Sequence, residues 1–125
     1  CESESDVISA VSGAKGNVSA IIIGNQALII DAAEKIVAAA CSSPVLSYSS
    51  KPVKVGALGG FVADDEKLGY MLAQSLVEVL KNGKTVGNIP IKVDPAPKFF
   101  INVTTSQKLQ IEIPFDILEV ATIVE

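Results

Sequence analysis

An α/β layer fold with a largely parallel sheet is what this sequence predicts, and three features predict it. The nearly continuous apolar run 18–24 has the pattern of a strand covered on both faces. Runs of this kind alternate along the chain with stretches of helical period. The third feature is 55–69, which reads as a buried strand, a glycine turn and a helix whose first turn carries Asp64, Asp65 and Glu66. In an open α/β sheet, the edge at the carboxyl ends of the strands is where ligands bind.

The elements follow in order. Residues 6–14 carry apolar side chains at Val7, Ile8 and Val11, giving a short amphipathic helix with Ser5 as the candidate N-cap; Gly13, Gly16 and Asn17 end it. After the strand 18–24, Gly24 and Asn25 make a turn, and Asn25 is placed to cap a helix over 26–40. Its apolar stripe is Ile29, Ala32, Ala33, Ile36, Val37 and Ala40. Residues 44–46 start a second strand, 47–52 read as a polar loop, and 53–61 as a third strand.

The strongest helical period spans 66–81, with Leu68, Leu72, Leu76, Val79 and Leu80 as the face expected to be buried. Its carboxylates sit at the positive end of the helix dipole and Lys81 at the negative end, with Asn82 and Gly83 as the stop. Residues 89–93 and 99–103 read as short strands split by Asp94-Pro95-Ala96-Pro97. Thr104 to Gln107 matches a capping box, and Pro114 can open a last helix through Ile117, Leu118 and Val120. The expected order is α-β-α-β-β-α-β-β-α, with no internal repeat.

Composition narrows the functions. With 125 residues, 49% hydrophobic and 19% charged, the chain can bury a real core and reads as one domain over 1–125. All cations are Lys in a chain of net charge −4, which argues against nucleic-acid binding, where Arg is the usual bidentate donor. Histidine is absent, which removes Ser-His-Asp and Cys-His catalysis and most zinc sites. No cofactor and no enzymatic activity are expected. Cys41, after three alanines, reads as a small buried residue. Cys1, followed by Glu-Ser-Glu-Ser, has the pattern of a lipid-modified cysteine of a bacterial lipoprotein, although chance placement weighs more.

An ordered set of short matches runs along the chain. It comprises Ser5-Asp6-Val7, Val18 to Ile23, Ser43-Pro44-Val45, Gly56-Ala57-Leu58 and Lys67-Leu68-Gly69. It continues with Leu80 to Lys84, Ile89-Pro90, Phe100-Ile101-Asn102 and Ile113-Pro114. Together these resemble the substrate-binding proteins of bacterial ABC importers, of the class linked to tryptophan and tyrosine uptake. The resemblance implies a three-layer α/β lobe of the periplasmic-binding-protein type I kind. It covers the C-terminal half of such a protein, so a fragment or a truncated gene product is expected.

The resemblance also implies a site and partners. Ligand would lie at the strand ends: Asn25 and Gln26 after the first strand, Ser47 and Tyr48 after the second, and Asp64 after the third. The family usually carries Asp-Asn where this chain has Gln26-Ala27, so one expected carboxylate is missing. Helix capping is an equal reading for Asn25, packing on a neighbour for Tyr48, and capping the favoured one for Asp65 and Glu66. The implied partners are a small-molecule ligand, an aromatic or other amino acid, and the ABC permease. An extracytoplasmic location, periplasmic or lipoprotein-anchored, is implied as well.

Two other readings stand beside this one. A lone ligand-sensing or oligomerising module would use the same lobe, covering its unsatisfied face by homodimerisation. A receiver-like signalling domain would use the acidic group at 64–66, but no Asp ends the strand at 99–103, where Asn102 stands.

Overall fold

The computed structural model describes residues 2–125, so the reading of Cys1 lies outside it. The chain forms two units: a larger one that runs to Val62 and resumes over Lys98–Glu125, and a smaller one, Ala63–Pro97.

In the larger unit the first helix, α1, spans Glu4–Ala14. Its cap is Ser3 rather than Ser5. The Ser3 hydroxyl accepts from the Asp6 N–H at 3.2 Å, and the Asp6 carboxylate accepts in return from the Ser3 N–H at 3.0 Å. This reciprocal box satisfies two donors that a helix start leaves orphaned, and it needs the carboxylate three residues after the cap. Strand β1 is Ile21–Ile23, shorter than the apolar run that announces it.

The expected helix over 26–40 is two: α2, Ala27–Asp31, and α3, Ala33–Ala40, joined at Ala32. Asn25 does not cap α2. The N-cap is Gln26, whose side chain makes no capping bond. The apolar stripe holds across the break, with Ala32, Ala33, Ile36 and Ala40 all buried. Cys41 is exposed, contrary to its expected burial. It follows the end of α3 with φ +54, which turns it out of the helical stripe.

Strand β2 is Val45–Ser47. Helix α4, Ser50–Lys54, replaces the expected polar loop and the start of the third strand. Pro52 sits in the first turn of α4, where its missing N–H costs no helical bond, and Pro52 and Val53 are both buried. Strand β3 therefore begins only at Gly59 and runs to Val62. Strand β4 is Lys98–Asn102, and α6, Val103–Lys108, follows at once. Its cap is Asn102, whose side-chain oxygen accepts from the Thr105 N–H at 2.8 Å, so the expected box at Thr104 does not form. Helix α7, Phe115–Val120, starts after Pro114, and a strand missed in the sequence, β5 at Thr122–Val124, closes the chain.

The sheet has the order β1-β2-β3-β4-β5. The pairs β1–β2, β2–β3 and β4–β5 are parallel, and β3–β4 is antiparallel. The core lies on one side, where Val7 and Val11 of α1 meet Ile36 and Ala40 of α3 over Ile23 and Val45. A fully buried aliphatic such as Ile36 contributes about 1.5–3 kcal/mol relative to exposure.

The smaller unit contains α5, Asp65–Leu80, followed by a 3-10 turn at Val86–Asn88. Asp64 is the N-cap of α5, accepting from the Lys67 N–H at 3.3 Å. Gly83, at φ +68, takes the left-handed conformation that ends the helix, as its position after Asn82 predicts. None of Leu68, Leu72, Leu76, Val79 and Leu80 is buried; Leu72 is 62% and Leu80 81% exposed. The stripe is amphipathic as expected, but this unit has no sheet of its own on which to lay it. The expected strand at 89–93 is absent as well. Pro90 removes a ladder donor there, prolines follow at 95 and 97, and Ile91 stands 95% exposed.

Candidate functional site

Because β1, β2 and β3 are mutually parallel, their carboxyl ends share one edge of the sheet. The register pairs Ile23 with Ser47, so 24–26 and Tyr48 leave neighbouring strands at the same level. Asn25 and Gln26 are exposed there. The Gln26 side chain turns back over Gly24: a Cβ on that glycine would lie 2.4 Å from the Gln26 side-chain oxygen.

Ser47 and Tyr48 differ in kind. Ser47 is buried, and its hydroxyl accepts from the Ser49 N–H at 3.0 Å, shaping the turn into α4. Tyr48 is 53% exposed. Both line a concavity of ≈ 370 Å³ whose other walls are Ile22, Leu46, Gly60, Phe61 and Phe99. No charged side chain lines it, so it suits an apolar group with polar contacts confined to the rim. Asp64, the remaining expected residue, belongs to the smaller unit, where it caps α5.

The pleat explains why the hollow is open. Ile22, Leu46 and Gly59 lie in one row across the sheet, and Phe61, two residues past Gly59, faces the same way. Phe61 pairs with Phe99 across β3 and β4, and their ring centroids lie 4.8 Å apart with the planes tilted by 39°. This face is opposite the core, and Ile22 and Phe61 are each more than half exposed. The two phenylalanines were absent from the expected set. No pattern within either strand could have found them, because it is the antiparallel pairing of Phe61 with Phe99 that puts one ring from each on the same face.

A smaller cavity of ≈ 180 Å³ lies on the helical side among Val37, Cys41, Ser43, Val55, Thr105 and Lys108. Beside it, the Lys15 ammonium lies 3.5 Å from the Cys41 sulfur. Among the described residues no group of three His, Cys, Asp or Glu side chains is placed to hold a metal ion. Nor is any helix among them long and apolar enough to cross a membrane.

Comparison with known proteins adds to this geometry. A family profile described as ABC transporter substrate binding protein matches residues 1–125. A tyrosine-binding protein of Clostridioides difficile is 30% identical over 110 residues, which cover 86% of this chain and 32% of that protein. Among solved structures, an ABC domain in complex with L-Trp from Streptococcus pneumoniae superposes with a TM-score of 0.80 at 28% identity. A conserved domain protein from Vibrio cholerae gives 0.79 at 25%. Each superposition covers 100% of this chain and 43% of the other. The chain thus spans less than half the length of each of these relatives.

Proposed function

This chain belongs to the ABC transporter substrate-binding protein family, and on that premise we propose that it captures a free amino acid at the carboxyl ends of its parallel strands. The observation that supports this most directly is the rim itself: the exits of β1 and β2 lie side by side at an apolar hollow that Ser47 and Tyr48 line. The family is one of binding proteins rather than enzymes, and it is typically extracytoplasmic. The relatives named for tyrosine and L-Trp point to an amino-acid ligand.

Asn25 and Gln26 hydrogen-bond the polar end of the ligand, and Tyr48 packs on its side chain. The family resemblance alone adds Asp64 as a candidate for the ligand ammonium. Capture is completed by closure of a second lobe, and the permease reads the closed form. By family resemblance, the protein acts outside the cytoplasm, in the periplasm or as a membrane-anchored lipoprotein. Residues 1–125 count as one lobe, since β4 returns antiparallel to β3 and so re-enters the same sheet.

A stand-alone sensing or oligomerising module is the second reading, favoured by the exposed face at Ile22 and Phe61, which a second copy would cover. Titration calorimetry with aromatic and branched amino acids tests capture. Saturable binding, even at about millimolar affinity, supports it. Heat indistinguishable from dilution for every amino acid, with a dimer in sedimentation equilibrium, supports the module instead.

A further inference from the structure

We propose that Cys41 is a site of reversible S-thiolation, and that the cavity beside it holds one half of a small carboxylate-bearing disulfide such as cystine. The site is separate from the hollow at Tyr48: Val45 lines the cavity, and Leu46, the next residue of β2, lines the hollow on the other face of the sheet. Free cysteines are among the most buried residues, yet Cys41 is exposed. It ends α3 at φ +54, at a position that ordinarily falls to Gly or Asn. There it lines a cavity of ≈ 180 Å³.

The cavity offers a set of complementary groups. Ser43 lines it while only 6% exposed. Its hydroxyl accepts from the Gly16 N–H at 3.3 Å, which leaves the hydroxyl proton to donate to an occupant. The Thr105 hydroxyl donates to the Gly56 carbonyl oxygen at 3.0 Å, so its lone pairs stay open. Lys108 brings an ammonium with no ion-pair partner among the described residues, and no carboxylate lines the cavity. Val37, Val45 and Val55 supply apolar wall. A thiol, a buried donor, a cation and an apolar wall match a short methylene stem with sulfur at one end and a carboxylate at the other. Size narrows the occupant further. The volume falls below the about 300 Å³ at which ligand pockets begin and equals roughly six waters at ~30 Å³ each. Half of a cystine fits that space; a tripeptide thiol does not.

The chemistry is thiol–disulfide exchange. The Cys41 thiolate attacks one sulfur of the small disulfide, and the bond between the two small sulfurs breaks as the new S–S bond forms. The second half leaves as a thiolate and takes up a proton equivalent to the one Cys41 lost. Cys41 is oxidised and the departing half is reduced, so no further oxidant is needed. The Lys15 ammonium, 3.5 Å from the sulfur, places positive charge beside the attacking atom. The family is typically extracytoplasmic, where exposed thiols meet disulfides rather than a reducing pool.

Cys1→Ser is the parent protein for the test, which leaves one thiol. It is equilibrated in cystine–cysteine and in cystamine–cysteamine buffers, whose adducts differ only in the carboxylate, and the mixed disulfide is quantified by intact mass. The expected exchange constant is about two- to fivefold larger for the cystine pair, the range of a partly exposed ion pair. Lys108→Gln should abolish that preference, whereas Lys81→Gln, in the smaller unit, should keep it; circular dichroism checks that each variant is folded. Equal constants for the two pairs, or a preference that survives Lys108→Gln or is lost equally in Lys81→Gln, would overturn the pocket. A parent protein that forms no adduct, or that forms chiefly a disulfide-linked dimer, would overturn S-thiolation itself. Amino-acid capture at the hollow is untouched by any of these results.

Discussion

Asn102 donates from its side-chain amide to the carbonyl oxygen of Val53 at 2.9 Å, joining residues 49 positions apart. Its side-chain oxygen meanwhile accepts from the Thr105 N–H, so one buried residue both caps α6 and ties β4 to α4. Replacing Asn102 by Ala removes the cap and leaves the Val53 carbonyl without its amide donor. The expected cost is about 2–3 kcal/mol, the sum of a lost cap and a buried unmet acceptor. Urea denaturation should show a lower midpoint with an unchanged slope.

Gly60, inside β3, and Gly24, just past β1, should respond differently to the same change. A Cβ on Gly60 would lie 1.7 Å from the Ser47 backbone oxygen, which cannot move without parting β2 from β3. Gly60→Ala should therefore cost about 3 kcal/mol or more, at or beyond the upper end of ordinary overpacking. At Gly24 the obstacle is the end of the Gln26 side chain, which can swing into solvent, so Gly24→Ala should change stability by less than about 1 kcal/mol. Thermal melts of the two variants side by side check the contrast.

Two substitutions at Asp64 separate structure from recognition. Asp64→Ala removes the side-chain cap of α5 and should cost about 1 kcal/mol; Asp64→Asn keeps a capping oxygen and should cost only a few tenths. If the charge at 64 serves the ligand ammonium, Asp64→Asn weakens amino-acid binding several-fold more than Asp65→Asn. Equal effects in calorimetry would confine Asp64 to capping.

Acid should uncover the carboxylates that the fold holds ionised. The Lys67 ammonium, with help from the Ala96 N–H, lowers the Asp94 pKa below its ordinary 3.8; the Lys84 ammonium lowers Glu78 below 4.5. Asp6 is lowered chiefly by the Ser3 hydroxyl, then by the Glu2 and Ser3 N–H groups. A folded-state pKa below the unfolded one means that the unfolded chain binds the proton first as pH falls. The contribution of each group is therefore complete above its unfolded value and disappears as pH drops through the lowered one. Asp94→Asn should be less stable than the wild type at neutral pH, and the gap should close by about pH 2, as followed by circular dichroism melts. A gap that stays constant with pH would show that the Lys67–Asp94 pair contributes nothing through its charge.

What could be read from the sequence was whatever depended on local pattern. The parallel β1–β2–β3 block, the stripe from Ile29 to Ala40 and the stop at Gly83 follow from periodicity and glycine chemistry within a few residues. The misses have a common cause in long-range packing. Val53 and Val55 have the β-branched look of a strand, yet Pro52 and Val53 find burial as a helical turn, and tertiary contact overrides propensity. Ile91 and Val93 alternate as a strand should, but a strand needs a partner edge and prolines flank them. At the site, the loops at 24–26 and 47–48 were visible as strand ends. Phe61 and Phe99 were not, because only the antiparallel register that joins them brings the two rings together.

Val62 and Lys98 face each other across the β3–β4 ladder. The polypeptide thus departs from the sheet and comes home to the adjoining rung, with everything from Ala63 to Pro97 threaded on that single detour. Insertions or deletions within the detour leave the ladder's alignment untouched, and this is where length variation between relatives should be best tolerated. Cutting it out and splicing Val62 to Lys98 through an Asn-Gly hairpin turn should yield a shorter, still five-stranded domain.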